Sequence, residues 1–545
     1  MHFKINPTPM KKILLLLITI LSYSGIYAQN DSIYFWKSNT MIHKQSIKTA
    51  DLDSITFKRP MEQLTSGASD FSKYIALGDS MSAGYCDGAL FIAGQENAYP
   101  NILSQQFSLV GGGSFATPFM NDNIGGLLLG GFQIQSPRLY FNGSNPISVS
   151  GTPTTEITNQ LIGPFNNMSV PGAKSFHLLA SGYGNINGIA SGQANPYFAR
   201  FASSPTTSVL ADAAAQNITF FSFWIGNNDV LSYATSGGTG VNQTGNLNPA
   251  TYGGNDITDP NVFANLYNSM LDGLTANGAK GVVSNIPYFN TMPFFTTIPT
   301  NPNYALPVSN TNQMNQIFGL INVALASNGQ PTRFQPLVAD DGNSSTIENN
   351  PLLIVDESLS NISSLIVTAL TPSLGSSTAN YIANLYGLAR HASNVTSSRD
   401  YILLPANSVI GTTQTGAPAP FNLKGISYPM QDNTNITATE ASQLKTATDA
   451  YNASIQAIAD AKGLAFVDIN AMYNQVNNGG IVANGQTMTS TFITGGMFSL
   501  DGVHPSPRGN ALISNKFLEA INSKYGSNLQ GVNIGDYPVL FPANL

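Results

Sequence analysis

Charge, cysteine and histidine are all scarce in this sequence. Only 9 % of its 545 residues are Asp, Glu, Lys or Arg, with 22 basic against 29 acidic side chains and a formal net charge of -7. No basic run occurs, which argues against a surface that tracks a phosphate backbone, so no nucleic acid is expected as a partner. The single cysteine, Cys86, excludes an intrachain disulfide and reads as a small buried hydrophobe. The five histidines show no ligand spacing such as His-Glu-x-x-His, so neither a metal nor another cofactor is expected. Beyond the first two dozen residues no apolar run is long enough to cross a bilayer.

What is present begins with an export pattern. Met10-Lys11-Lys12 precedes an apolar run over residues 13–21, and small residues lead to Ala28 before Gln29. That order reads as a signal peptide over 1–28, with an uncut anchor helix as the alternative, and the mature chain is expected in the periplasm, on the cell surface or outside. Residues 29–69 alternate apolar and polar on both sides of Ser38-Asn39, which predicts a small β-hairpin, a third strand at 53–57 and a linker.

Tyr74-Ile-Ala-Leu-Gly78-Asp79-Ser80 is an apolar run that stops at a turn. It predicts a buried parallel strand with a serine at its carboxyl end, where open α/β sheets bind ligands. Asp79 and Ser80 read equally well as caps of the next helix. Far downstream, Asp501-Gly502-Val503-His504 supplies an aspartate and a histidine three residues apart. A serine hydroxyl becomes a nucleophile when a base takes its proton and an acid fixes the tautomer of that base. Ser80, His504 and Asp501 are therefore the candidate triad.

Four short blocks occur in order: Gly78-Asp79-Ser80, Val170-Pro171-Gly172-Ala173, Gly226-Asn227-Asn228-Asp229 and Asp501-Gly502-Val503-His504. In these the chain resembles the SGNH (GDSL-type) esterases and lipases, in a long bacterial, Bacteroidetes-like branch, over roughly residues 70 to 530. The resemblance implies a three-layer α/β/α flavodoxin-like fold with a mostly parallel sheet and large loop or cap insertions. It also implies an oxyanion hole built from the Ser80 N–H, the Gly172 N–H and the Asn228 side-chain amide. Glycine suits such a place because the substrate must approach the main chain closely, and it equally suits a tight strand-to-helix turn. A standard α/β-hydrolase is disfavoured because Met81-Ser82 breaks the Gly-x-Ser-x-Gly elbow.

The rest of the chain alternates strand and helix patterns. Helices are expected over 98–107, after Gly172, over 260–277, over 437–462 behind the capping pair Thr437 and Glu440, and over 507–524. Strands are expected at 166–170, 218–225, 281–286 and 464–467. Two insertions interrupt this order. Residues 111–164 read as a glycine-rich excursion without periodic structure, and 291–430 as a cap. In the second, Phe294-Phe295, Leu352-Leu353 and Tyr381 to Tyr386 either line an acyl pocket or form the insertion's own core. His177 reads as structural, Asp229 as a network residue, and 531–545 as a tail. The expected activity is hydrolysis of a carboxylic ester, from a lipid or other small molecule or from O-acetylated polysaccharide. The rival from another class is an inactive carbohydrate-binding surface protein, and the oligomeric state is open.

Overall fold

The computed structural model describes residues 63–545 except 305 and 344–346, together with the backbone of two strands, Asn30–Lys37 and Thr40–Lys48. Those two strands pair antiparallel from Asn30 opposite Lys48 to Lys37 opposite Thr40, the hairpin expected around Ser38-Asn39. The expected signal peptide and third strand lie outside the described residues. The chain divides into two compact units, Met1–Gln63 and Leu64–Leu545.

The larger unit is mixed α/β and is built on four parallel strands: β1 (Tyr74–Gly78), β2 (Phe220–Trp224), β3 (Lys280–Ser284) and β4 (Ala465–Val467). Their order across the sheet is β4-β3-β2-β1. Every residue of β1 and β2 is buried, which explains why these strands read as unbroken apolar runs instead of alternating ones. Residues 166–170 lie along the outer edge of β1. There the Ala76 N–H donates to Asn166 (2.9 Å), and the Met168 and Val170 N–H groups donate to Ala76 (2.8 Å) and Gly78 (3.0 Å). Counting that edge, the spatial order is second, first, third, fourth, fifth in chain sequence.

Helices cover both faces. Neighbouring residues of a strand point to opposite sides. Trp224 meets Tyr99 of α2 (Tyr99–Ser108) and Phe517 of α10 (Pro507–Tyr525). Phe223 meets Tyr267 of α4 (Pro260–Thr275), and α4 stacks Phe263 on Tyr451 of α8 (Ala438–Ala461) at 4.2 Å. The local signals explain where these helices start. Pro100 and Pro260 stand in first turns, and at α8 the Glu440 carboxylate accepts the Thr437 N–H (2.7 Å) while Thr437 caps the Glu440 N–H. Two shorter helices carry site residues, α1 (Ser80–Ala83) and α3 (Asn228–Thr235); α5 (Val308–Ser327), α6 (Ser363–Leu374) and α7 (Ser376–Tyr386) lie in the insertion at 291–430, and α9 (Ile469–Asn477) follows β4.

Two expectations are corrected here, and one left open is decided. The excursion at 111–164 contains two hairpins, Leu127–Leu129 with Phe132–Gln135 and Leu139–Phe141 with Pro146–Ser148. Strands of three or four residues hold too few alternations to register as a period. After Gly172 there is a single 3₁₀ turn, Ser175–Leu179, instead of an α-helix. In the insertion at 291–430, Leu352, Leu353 and Tyr386 form a core of their own with Phe318, Ile366 and Ile382, whereas Phe295 joins the core of the sheet. The carboxyl-terminal residues pack back on the unit, with Phe541 edge-on to Phe91 and the Arg138 guanidinium donating to Pro542 and Ala543. Among the described residues no helix is long and apolar enough to cross a membrane.

Candidate active site

The carboxyl ends of β1, β2 and the edge segment meet at one corner of the sheet. β1 ends at Gly78, Asp79 caps α1 by accepting the Met81 N–H (3.0 Å), and Ser80 is the first residue of α1. The side chain of Ser80 is held by a histidine from the other end of the chain. His504 Nε2 lies 2.8 Å from Ser80 Oγ, and His504 Nδ1 lies 2.9 Å from Asp501 Oδ2. With the ring proton on Nδ1, Nδ1 donates to Asp501 and Nε2 accepts from the Ser80 hydroxyl. The geometry thus joins the three residues that the sequence singled out.

Asp501 is fixed as an anion. Besides the imidazole it accepts the N–H groups of Val503 (2.9 Å), His504 (2.8 Å) and Gly88 (3.0 Å). Burial acts to raise this carboxyl, but the imidazole and the backbone donors outweigh it and hold it down at about 2. A carboxylate that stays charged throughout the neutral range keeps the ring in one tautomer and stabilises the imidazolium when it forms.

The second block sits beside the first because Val170 pairs with Gly78, so Gly172 and Ser80 each lie two residues past paired strand ends. Gly172 has φ +78, a conformation that side chains rarely adopt. Among the described residues neither the Ser80 N–H nor the Gly172 N–H donates to a protein acceptor. Asn228, at the start of α3, gives one of its two amide hydrogens to the Ala173 carbonyl (2.9 Å) and retains the other. Two backbone donors and a spare amide hydrogen are therefore left uncommitted, on the segment that carries Ser80 and on segments bonded to it.

Other residues hold these pieces together, and most were invisible in the sequence. Asn227 donates to Asp79 Oδ2 (2.9 Å), tying the third block to the first. Burial pushes the Asp79 carboxyl up to about 6, against the Asn227 and Met81 donors. Asp229 accepts the Ser175 N–H (2.8 Å) and hydroxyl (2.7 Å), the network role expected of it. Asn195 donates to Pro171 (2.8 Å) and braces the turn before Gly172. Tyr85 lays its ring 4.8 Å from the His504 ring and donates its hydroxyl to Gly88. Of these partners only Asp229 was singled out in the sequence.

His177 accepts the Lys174 N–H (3.0 Å) and stacks on Tyr183. Burial first, and then Lys174, push it down to about 4, so it is neutral and structural at pH 7. Asp256 organises its own loop by accepting the Val241 and Gly253 N–H groups. Beside α1 a small cavity of about 10 Å³, room for roughly one water molecule, is lined by Ala83, Leu90, Pro171, Tyr197 and Phe201, with Arg200 among its polar groups. The Phe294 N–H donates to Gly502 (3.0 Å), so the insertion touches the loop between Asp501 and His504. No protein-family model, curated protein or solved structure matches the chain.

Proposed function

We propose that the chain is a serine hydrolase of carboxylic esters that works through an acyl-enzyme on Ser80. The observation that carries this reading is the unbroken line from Ser80 Oγ through His504 to Asp501, at 2.8 and 2.9 Å, beside two unused backbone N–H groups. Ser80 Oγ attacks the ester carbonyl carbon while His504 Nε2 takes its proton. The negative charge that develops on the carbonyl oxygen faces the Ser80 and Gly172 N–H groups and the second amide hydrogen of Asn228. The imidazolium, steadied by Asp501, returns the proton to the departing alcohol. Water then repeats the attack, His504 again serving as base, and the acid is released.

The SGNH (GDSL-type) resemblance of the four blocks supports the same reading, as does the strand order, which with the edge segment is that of a flavodoxin-like sheet. Ligands in such sheets lie outside the strand ends where the order reverses, between β1 and the edge segment on one side and β2 on the other. The ester is carried by a lipid or other small molecule or, as the alternative, by an O-acetylated polysaccharide. Export through the leader at 1–28 would bring the enzyme to such esters.

The test is hydrolysis of p-nitrophenyl acetate, butyrate and palmitate and of acetylated xylan by wild type and by Ser80→Ala. Cleavage of at least one of the four by wild type alone, with the variant still folded, is the expected result, and the preferred substrate names the acyl class. A folded wild type that cleaves none of the four substrates would leave the binding-protein reading ahead.

A further inference from the structure

Away from Ser80, three carboxylates that the chemistry above does not use meet where the insertion joins α8. Glu357 lies in the turn after the short strand Leu353–Val355, Asp432 opens the 3₁₀ turn Asp432–Thr434, and Glu440 stands in the first turn of α8. One oxygen from each lies within 4.8 Å of the others. Oxygens that share one cation at about 2.4 Å stand at most about 4.8 Å apart, so this spacing meets the condition for a common ion.

Two of these groups carry buried oxygens without a partner. Glu440 Oε1 and Asp432 Oδ1 receive no hydrogen bond. Glu440 is only 4 % exposed, and its other oxygen, Oε2, is pinned by the Thr437 N–H (2.7 Å) and hydroxyl (2.8 Å). Pinning Oε2 fixes Oε1 where it is. The chain leaves room for it at Gly238, φ +78, where a Cβ would lie 1.7 Å from Oε1. Gly238 follows α3, whose hydroxyl-bearing Tyr233 borders the same cluster. Buried carboxylates are normally hydrogen-bonded, paired with a cation or bound to a metal. The nearby Arg390 is committed elsewhere, to Asp356 (2.6 Å) and Asp400 (2.5 Å). Burial, followed by the closeness of Glu357, raises both Asp432 and Glu440, the latter against its Thr437 bonds.

We propose that Glu357, Asp432 and Glu440 form a binding site for a hard divalent cation, calcium, which clamps the insertion at 291–430 to α8 and to the end of α3. The donors are all oxygen and anionic, the set that calcium prefers, and the exposed side at Glu357 is open to the water ligands that complete its shell. The competing occupant is a proton shared among the carboxylates. The site stands or falls independently of the esterase reading, because its readouts are binding and stability.

A second acidic group, Asp340, Asp341 and Glu348, lies within the insertion, so the experiment uses the full chain carrying Asp340→Asn and Asp341→Asn. After treatment with a chelator, calcium chloride is titrated by calorimetry at pH 7.5, and thermal unfolding is recorded with and without calcium. One calcium per chain, with a Tm that rises by several degrees at saturation, is expected. Glu440→Gln, which keeps a side-chain acceptor for the capping box, and Asp432→Asn should each weaken binding at least tenfold and remove the Tm rise. Should either fail to fold, Glu357→Gln at the exposed side gives the same readout. Absence of binding by both calcium and magnesium overturns the proposal in favour of the shared proton, as does a Glu440→Gln chain that is more stable than a calcium-indifferent parent. Binding that survives all three substitutions also overturns it.

Discussion

Asp501 and Asp87 are aspartates in two loops that grip each other, yet their carboxyls are driven in opposite directions. The Asp87 N–H donates to Ser499 Oγ (3.0 Å), its carboxylate accepts the Leu500 N–H (2.9 Å), and the neighbouring Gly88 N–H goes to Asp501. Asp501 has four donors, one of them an imidazole, and is held at about 2. Burial pushes Asp87 up to about 7, with the Leu500 N–H working against the rise and the Asp501 charge adding to it. Depth does not decide whether a carboxyl is charged; the number and charge of its donors do. Asp87 also has φ +50, an uncommon conformation for a residue with a side chain. Its strained turn is the price of aiming Gly88 at Asp501.

The comparison is broken most severely at Asp501. In Asp501→Asn the amide cannot hold the imidazole in the productive tautomer, and kcat is expected to fall by about 10³–10⁴ at pH 7 with the fold intact. Steady-state kinetics with p-nitrophenyl acetate check this, and a loss below tenfold would remove Asp501 from its assigned role. A smaller loss is expected opposite the triad: if the proposed mechanism holds, the free amide hydrogen of Asn228 acts only on the developing charge, and Asn228→Ala should lower kcat by about 10²–10³ with little change in KM. An equal rise in KM would instead make Asn228 a substrate-binding group.

Asp87→Asn should have the smallest effect on turnover and a distinct effect on stability. The folded-state value of Asp87 lies above the ordinary 3.8, so its contribution is fully present below about pH 4 and is lost as pH rises through about 7. Asp501, depressed below 3.8, runs the other way: its contribution is present above about pH 4 and is lost as pH falls through about 2. Asn at 87 should therefore flatten the decline in stability between pH 4 and 7, where one bound proton corresponds to about 1.4 kcal/mol per pH unit. Urea midpoints at pH 4, 5.5 and 7 measure it. An unchanged slope would assign the proton to one of the other raised carboxyls, Asp432, Glu440 or Asp79.

Much of this corner was legible in advance because each part is short and contiguous. An apolar run ending in Gly78-Asp79-Ser80, a second ending in Gly226-Asn227-Asn228 and a histidine three residues after an aspartate declare their local geometry. The helices with proline or a capping pair in the first turn were legible for the same reason. The braces were not. Asn227 reaches Asp79 across 148 residues of sequence, and Asp87 reaches Leu500 across 413. No local pattern marks an asparagine that will meet an aspartate so far away, and the little hairpins at 127–148 were too short to show a period.

By itself, then, the sequence determined the α/β alternation, the buried parallel strands and the identity of Ser80, Asp501 and His504, since these follow from side-chain periodicity and from chemistry written in adjacent residues. Only the tertiary structure decided which carboxyls are charged, which N–H groups are left free beside Ser80, and that Glu357, Asp432 and Glu440 meet at all. Charge state and free donors depend on neighbours supplied by distant segments, and only the closed sheet with its insertion folded against α8 brings those neighbours within hydrogen-bond range.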